Sequence, residues 1–158
     1  MNFESFEDIK VLMDNFDPAT LLPDLNNMVG LVEFITRIAV LAGPILLLVM
    51  GILYFFVSPK EANYHFGYRC YFGMGSEEAW HFSQRLAGLV WAALGLVLTI
   101  VMAVISSGFR GDPIMDVIFS GIKCLFWELG LATLSCLAIN MMCMVRYDRK
   151  GNRRNRYE

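Results

Sequence analysis

Two uninterrupted apolar runs constrain the fold of this chain more than any other feature. Ile38–Val57 and Leu86–Ile105 are each 20 residues long and contain no charged side chain. As a helix with a rise of 1.5 Å per residue, such a run extends about 30 Å, which matches the hydrocarbon thickness of a bilayer. The sequence therefore predicts an all-α membrane protein.

A third apolar stretch, 117–145, is not free of charge, because it contains Lys123 and Glu128. We predict three transmembrane helices at about 32–57, 86–106 and 117–145. The turn between the second and third spans is short, so these two helices should be antiparallel neighbours. The polar loop 58–85 joins the first span to the second.

The two ends of the chain carry opposite charge. Residues 1–31 contain six acidic residues and one lysine, whereas 146–158 contains six basic and two acidic residues. Apolar side chains recur every three to four residues near the start, which predicts an amphipathic helix that Pro18 and Pro23 end. The positive-inside rule places the basic tail in the cytoplasm. The N-terminus is then outside, and the loop 58–85 is cytoplasmic.

Three polar side chains are expected at or inside the membrane boundary: Arg37, Lys123 and Glu128. Glu128 should lie about one turn inside, at a depth similar to that of Arg37. We predict an ion pair between Glu128 and Arg37, since ionisable residues within spans usually have a partner. The alternative, that Glu128 reaches the lipid headgroups, stays open at this point.

Catalytic chemistry is not indicated. His65 and His81 are separated by 16 positions and form no metal-binding motif, and the four cysteines lack zinc-ligand spacing. The apolar cores of the first two spans contain no histidine or carboxylate. We expect no catalytic residue, no metal, no cofactor and no nucleic-acid partner.

The second half of the loop predicts the start of a helix. Ser76 is a good N-cap, and Glu77 and Glu78 suit the positive end of a helix. Gly88 and Gly95 would allow another helix to approach closely. We therefore expect the loop to fold back on the membrane surface and to be held at the start of the second span by a tryptophan and an arginine.

A sparse motif runs through this region: Asn63, then Gly67-Tyr68-Arg69, then Trp80, and then Gln84-Arg85 and Gly88. The order of these residues resembles the signature of the SdpI family, and the resemblance covers about residues 45–105. Two positions depart from the family pattern: Cys70 stands where threonine is usual, and Gly73 where serine or threonine is common. The matching positions, which the resemblance implies form the functional loop, are Asn63, Gly67, Tyr68, Arg69, Trp80, Gln84, Arg85 and Gly88.

The resemblance implies a non-enzymatic protein of the bacterial inner membrane, of the toxin-immunity or signalling type. Its expected partners are the lipid bilayer, a peptide toxin or a cytoplasmic repressor, and a second copy of the chain. One alternative is an accessory subunit of a larger membrane complex, with Lys123 and Glu128 on the partner-facing side. A small oligomeric transporter is a further alternative.

Overall fold

A computed structural model describes residues 22–57, 59, 62 and 66–154 of the chain. Three long helices make up most of this part: α1 (Leu22–Phe56), α2 (Glu77–Ser107) and α3 (Ile114–Arg146). Within the described ranges there is no β-strand, only one isolated bridge near the C-terminus. The predicted all-α, three-span architecture is confirmed, while the predicted helix over the first 21 residues lies outside the described part.

All three helices are long and apolar enough to cross a membrane: Asn27–Phe56 of α1, with 30 residues, α2 with 31 and α3 with 33. At 1.5 Å per residue each extends about 45 Å, which exceeds the hydrocarbon core of a bilayer. Large apolar side chains point outward along all of them, among them Leu46, Leu96, Val104 and Leu134. This is the surface of a multi-pass membrane protein, whose outward faces meet lipid rather than water.

The helix starts follow local signals. As predicted, α2 begins directly after Ser76, whose hydroxyl oxygen accepts a hydrogen bond from the Ala79 amide at 3.2 Å. Pro23 is the second residue of α1, and the helix that Pro18 and Pro23 were predicted to end lies outside the described residues. Proline is well tolerated in a first helical turn, where the missing N–H would have no partner anyway. Residues 22–31 therefore belong to the first long helix.

Glycines set the close antiparallel contact between α1 and α2. A Cβ atom at Gly88 would lie 2.7 Å from the Phe55 amide nitrogen and 2.9 Å from the Gly51 carbonyl oxygen. Any side chain there would force the helices apart, so the role predicted for Gly88 and Gly95 is confirmed. The facing pairs along this contact are Phe55 and Gly88, Gly51 and Ala92, and Leu48 and Gly95.

Helices α1 and α3 pack with parallel directions in a fixed register. Gly121 of α3 faces Thr36 of α1, and Glu128 of α3 faces Gly43 of α1. In both pairs the residue number in α3 is 85 higher than the residue number in α1, so the two helices run in the same direction. The turn after α2 is tied to this pair, since the Gly111 amide donates to the Glu33 carboxylate at 3.2 Å. We call this the turn end of the bundle, and the opposite end, where residues 66–76 lie, the loop end.

Candidate functional site

The side chain of Gln84 holds the loop through hydrogen bonds to the backbone of the loop. Its side-chain oxygen accepts a hydrogen bond from the Tyr68 amide, and its side-chain nitrogen donates to the Tyr68 carbonyl, both at 2.7 Å and both buried. A carboxamide can satisfy a backbone N–H and C=O together, as a neighbouring strand would. Buried backbone groups need such partners, so Gln84 supplies what the irregular loop lacks.

Trp80 is the second anchor of the loop. Its ring is fully buried, and its indole N–H donates to the Pro59 carbonyl at 2.9 Å. Gly67 lies against this ring with φ of 122°, and a Cβ there would be 2.7 Å from two ring carbons. Both the positive φ and the close contact require glycine at this position. The predicted motif residues Gly67, Tyr68, Trp80 and Gln84 are therefore brought together, and we call these four the loop core.

Tyr68 connects the loop core to the other helices. Its hydroxyl donates to the Cys136 carbonyl of α3 at 3.1 Å, and its ring packs edge-on against Trp91 with the centroids 5.4 Å apart. Trp91 in turn donates to the Ser135 hydroxyl at 3.1 Å. Burial raises the pKa of the Tyr68 phenol, so it remains a neutral hydrogen-bond donor. Through these contacts the loop is fixed by α2 and α3 together.

The two positions that depart from the family pattern touch each other. A Cβ at Gly73 would lie 2.6 Å from the Cys70 sulfur and 2.8 Å from the Ser83 hydroxyl. The buried Cys70 thiol also forms a hydrogen bond with the Cys143 thiol of α3, which lowers the pKa of Cys70. The sulfur therefore fills the space that a side chain at position 73 would need.

Arg69 and Arg85 lie outside the loop core. Both side chains are exposed, and the Arg69 charge lies close enough to Tyr54 to interact with it electrostatically. Trp80 locks the loop as predicted, and the same role for Arg69, whose side chain is exposed two residues before the exposed Tyr71, stays a prediction. Asn63 lies outside the described residues.

The C-terminal tail contributes to the site, which the sequence did not predict. Residues 146–154 form a short hairpin in which the Arg154 amide donates to the Arg146 carbonyl at 3.0 Å. The Ser76 hydroxyl donates to the Gly151 carbonyl at 2.7 Å, and Arg153 forms an ion pair with Glu78 at 2.9 Å. The hairpin is thus docked on the start of α2. Asp148 and Gly151, three residues apart, were the turn signal that could have revealed it.

A groove lies between the hairpin and α2, with a volume of about 470 Å³. The Arg146 guanidinium lies over the Phe82 ring, 4.5 Å from its centroid, and forms one wall. His81, Arg85 and Arg153 also line the groove.

Hydrogen bonds from the backbone of the hairpin lower the pKa of Asp148, so it stays ionised within the turn.

The predicted ion pair between Arg37 and Glu128 is wrong. Arg37 pairs within its own helix with Glu33 at 3.6 Å. Glu128 lies opposite Gly43, and Arg37, six residues earlier in α1, is about 9 Å away along the helix axis. Glu128 is buried, and the alternative, that it reaches the lipid headgroups, stays a prediction. Lys123 is exposed on the outer face of α3, away from both.

The model of the SdpI/YfhL protein family matches residues 60–144, more than half of the chain. The matched range begins just before the loop core and includes α2 and nearly all of α3. No curated protein and no solved structure matches the chain.

Proposed function

Because this chain belongs to the SdpI/YfhL family, we propose that it is a non-enzymatic membrane protein of the immunity or signalling type, which recognises its partner with the rim of the loop. The rim consists of Arg69 and Tyr71. The loop core is the rigid base that presents it. In this proposal the polar atoms of Gln84, Trp80 and Tyr68 position the loop and perform no chemistry.

The observation that carries the proposal is the contrast between the base of the loop and its rim. Tyr68 and Cys70 are buried and bonded to two helices, while the alternating residues Arg69 and Tyr71 are exposed, Tyr71 by 70%. Arginine and tyrosine are enriched among residues that dominate binding energy at protein interfaces. A rim held in place before binding also loses little conformational entropy when a partner docks.

We further propose that the loop end faces the cytoplasm of a bacterial cell and that the N-terminus is outside. The docked hairpin brings its basic residues to the same end as Arg69 and Arg85. The turn end instead carries side chains of both positive and negative charge, among them Glu33, Arg37 and Asp112. This asymmetry fits the positive-inside rule. A reporter that is active only in the cytoplasm, fused after residue 158, should be active, and an inactive fusion would reverse the orientation.

The functional test is protection against a membrane-active peptide toxin. Cells sensitive to the peptide should survive when they express the chain, and Arg69→Ala or Tyr71→Ala should lose this protection at equal expression. Arg110→Ala is the matched control, because Arg110 is exposed at the turn end. Equal protection by wild type and both rim variants would contradict a role for the rim.

The signalling form of the proposal has its own test. A cytoplasmic repressor encoded beside the gene should bind the purified chain in detergent, and the rim variants should weaken this binding while Arg110→Ala does not. If protection depends on the rim but no repressor binds, the immunity form stands. Repressor binding that is unchanged by both rim variants would contradict recognition through the loop.

A second candidate function is that of an accessory subunit, and the outer face of α3 favours it. Trp127 is 70% exposed, and it forms a shallow depression with Lys123, Phe126 and Gly130. A Cβ at Gly130 would meet nothing within 4 Å, so there is room for a partner helix to approach. Purification in mild detergent should then yield a stoichiometric partner that Gly130→Leu removes, and a lone monomer would contradict this function.

A further inference from the structure

A cavity of about 260 Å³ lies in the middle of the bundle, where all three helices meet. Its walls are almost wholly apolar. They include Pro44 and Leu47 of α1, Leu98 of α2, and Leu125 and Leu129 of α3, which surround Glu128. Leu125 and Leu129 are also exposed on the surface of α3, so the cavity borders the lipid-facing side of the bundle.

Glu128 lines this cavity, and its Oε1 atom has no partner among the described residues. Its side chain is only 8% exposed, and its Oε1 atom makes no hydrogen bond within the part of the chain that the structure describes. Its other oxygen lies against Gly43, where α1 has no side chain. A carboxyl group at this depth is costly unless it is paired, so a group that remains unpaired here is a candidate for function.

The charges on the surrounding helices do not compensate Glu128. Arg37 of α1 is paired with Glu33, and Lys123 of α3 is exposed on another face. On α2, no charged residue follows Arg85. Among the residues that line the cavity, the acceptors without a compensating charge are therefore the carboxyl oxygens of Glu128, and their chemistry calls for a donor.

We infer that this cavity binds a small lipophilic amine, whose ammonium group pairs with Glu128 and whose apolar body fills the space among the leucines. A molecule of this kind partitions into the bilayer and reaches the cavity from the lipid-facing side. The volume lies just below the range of about 300–1,000 Å³ of drug-sized sites, so the ligand is compact. This inference is independent of the proposed role of the loop, because the cavity includes none of the loop residues.

Two other occupants fit the site less well. A divalent cation needs several oxygen ligands, and within the described ranges no group of three metal-binding side chains includes Glu128. A buried water molecule typically makes about three hydrogen bonds, whereas Glu128 is the one polar side chain among the residues that line the cavity. An ammonium group carries both the positive charge and the donors that these acceptors lack.

The test measures binding of 1-aminoadamantane to the full-length chain in a non-ionic detergent. Its neutral analogue of similar shape, 1-adamantanol, is the control ligand. The amine should bind about tenfold or more tightly than the alcohol, and Glu128→Gln should remove that difference. Glu33→Gln is the matched control, because Glu33 already pairs with Arg37, and this variant should bind like the wild type.

A second variant tests the cavity without changing the carboxyl group. Ala132 also lines the cavity, so Ala132→Leu should fill part of it and weaken amine binding while Glu128 remains. Circular dichroism verifies that each variant keeps its helices. Equal binding of amine and alcohol by the wild type, or amine binding that is unchanged in either variant, would overturn the inference, as would no binding of the amine up to its solubility limit.

Discussion

The loop core and the Glu128 cavity both bury polar side chains, but in opposite ways. Gln84 makes two hydrogen bonds of 2.7 Å to the backbone of Tyr68, and Trp80 donates to Pro59. The Oε1 atom of Glu128 has no partner within the described residues. Buried polar groups thus stabilise the fold at the loop end, whereas the Oε1 atom of Glu128 adds no hydrogen bond among the described residues. Substitutions in the two regions should differ accordingly.

The largest effect is expected for Gln84→Leu. Leucine is similar in size but leaves the Tyr68 amide and carbonyl buried without partners, and each such group costs about 1–3 kcal/mol. The free energy of unfolding in detergent should therefore fall by about 2–6 kcal/mol. Chemical denaturation followed by circular dichroism provides the measurement. A loss below about 1 kcal/mol would show that water replaces Gln84 at the loop.

Gly67→Ala should cost somewhat less. Alanine at φ of 122° is strained, and its Cβ would be 2.7 Å from the Trp80 ring. We expect a loss of about 2–4 kcal/mol, because the strain of about 1–3 kcal/mol adds to the cost of moving the ring. Gly111→Ala is the matched control, since Gly111 also has a positive φ, of 85°, but open space around it. Equal losses in the two variants would mean that Trp80 moves aside freely.

The sequence predicted these anchors to different extents, and the reason is the separation between partners. The start of α2 was predictable, because Ser76 caps the Ala79 amide three residues later. The resemblance to the SdpI family singled out Gln84 and Trp80, but nothing in the spacing showed that Gln84 binds the backbone of Tyr68, 16 residues away. Local signals therefore predicted the helix start, and the resemblance predicted the anchoring residues. The hydrogen bonds that these residues make to distant positions are seen only in the folded chain.

Contacts between distant segments were predicted poorly. The error over Arg37 and Glu128 is an error of register, because composition gives the depth of a helix only to within several residues. The ion pair of Glu78 with Arg153 joins residues at the same end of the bundle that are 75 positions apart in the sequence. Basic tails usually fix topology, so neither the charge nor the spacing of this one indicated that it docks on α2.

The contact between Cys70 and Gly73 allows a test of intermediate size. Gly73→Ser should cost about 1–3 kcal/mol, since its Cβ would be 2.6 Å from the Cys70 sulfur. Cys70→Ala removes that sulfur and should recover part of the loss in the double variant. A double-mutant cycle on the free energy of unfolding measures this coupling. Strictly additive effects would mean that Ser83, and not Cys70, excludes a side chain at position 73.

Removing the contact between tail and helix should have a small effect. In the ion pair of Arg153 with Glu78 both side chains are more than half exposed. Exposed pairs contribute about 0.2–1 kcal/mol, so Arg153→Ala should lower the free energy of unfolding by no more than that. Arg149→Ala, which changes an exposed arginine of the same hairpin, is the control. A loss well above 1 kcal/mol would show that the hairpin is a larger part of the fold.

The smallest effect on the free energy of unfolding is expected for Glu128→Gln, which tests the cavity in the comparison with the loop core. The substitution keeps the size of the side chain and replaces a carboxyl oxygen that has no partner in the described part of the chain. We expect the free energy of unfolding to change by less than about 1 kcal/mol, because the substitution removes no hydrogen bond of Oε1 within the described residues. Denaturation of Glu128→Gln beside Gln84→Leu measures the difference directly. A loss as large as that of Gln84→Leu would show that Glu128 also holds the bundle together, and the distinction between the two regions would fail.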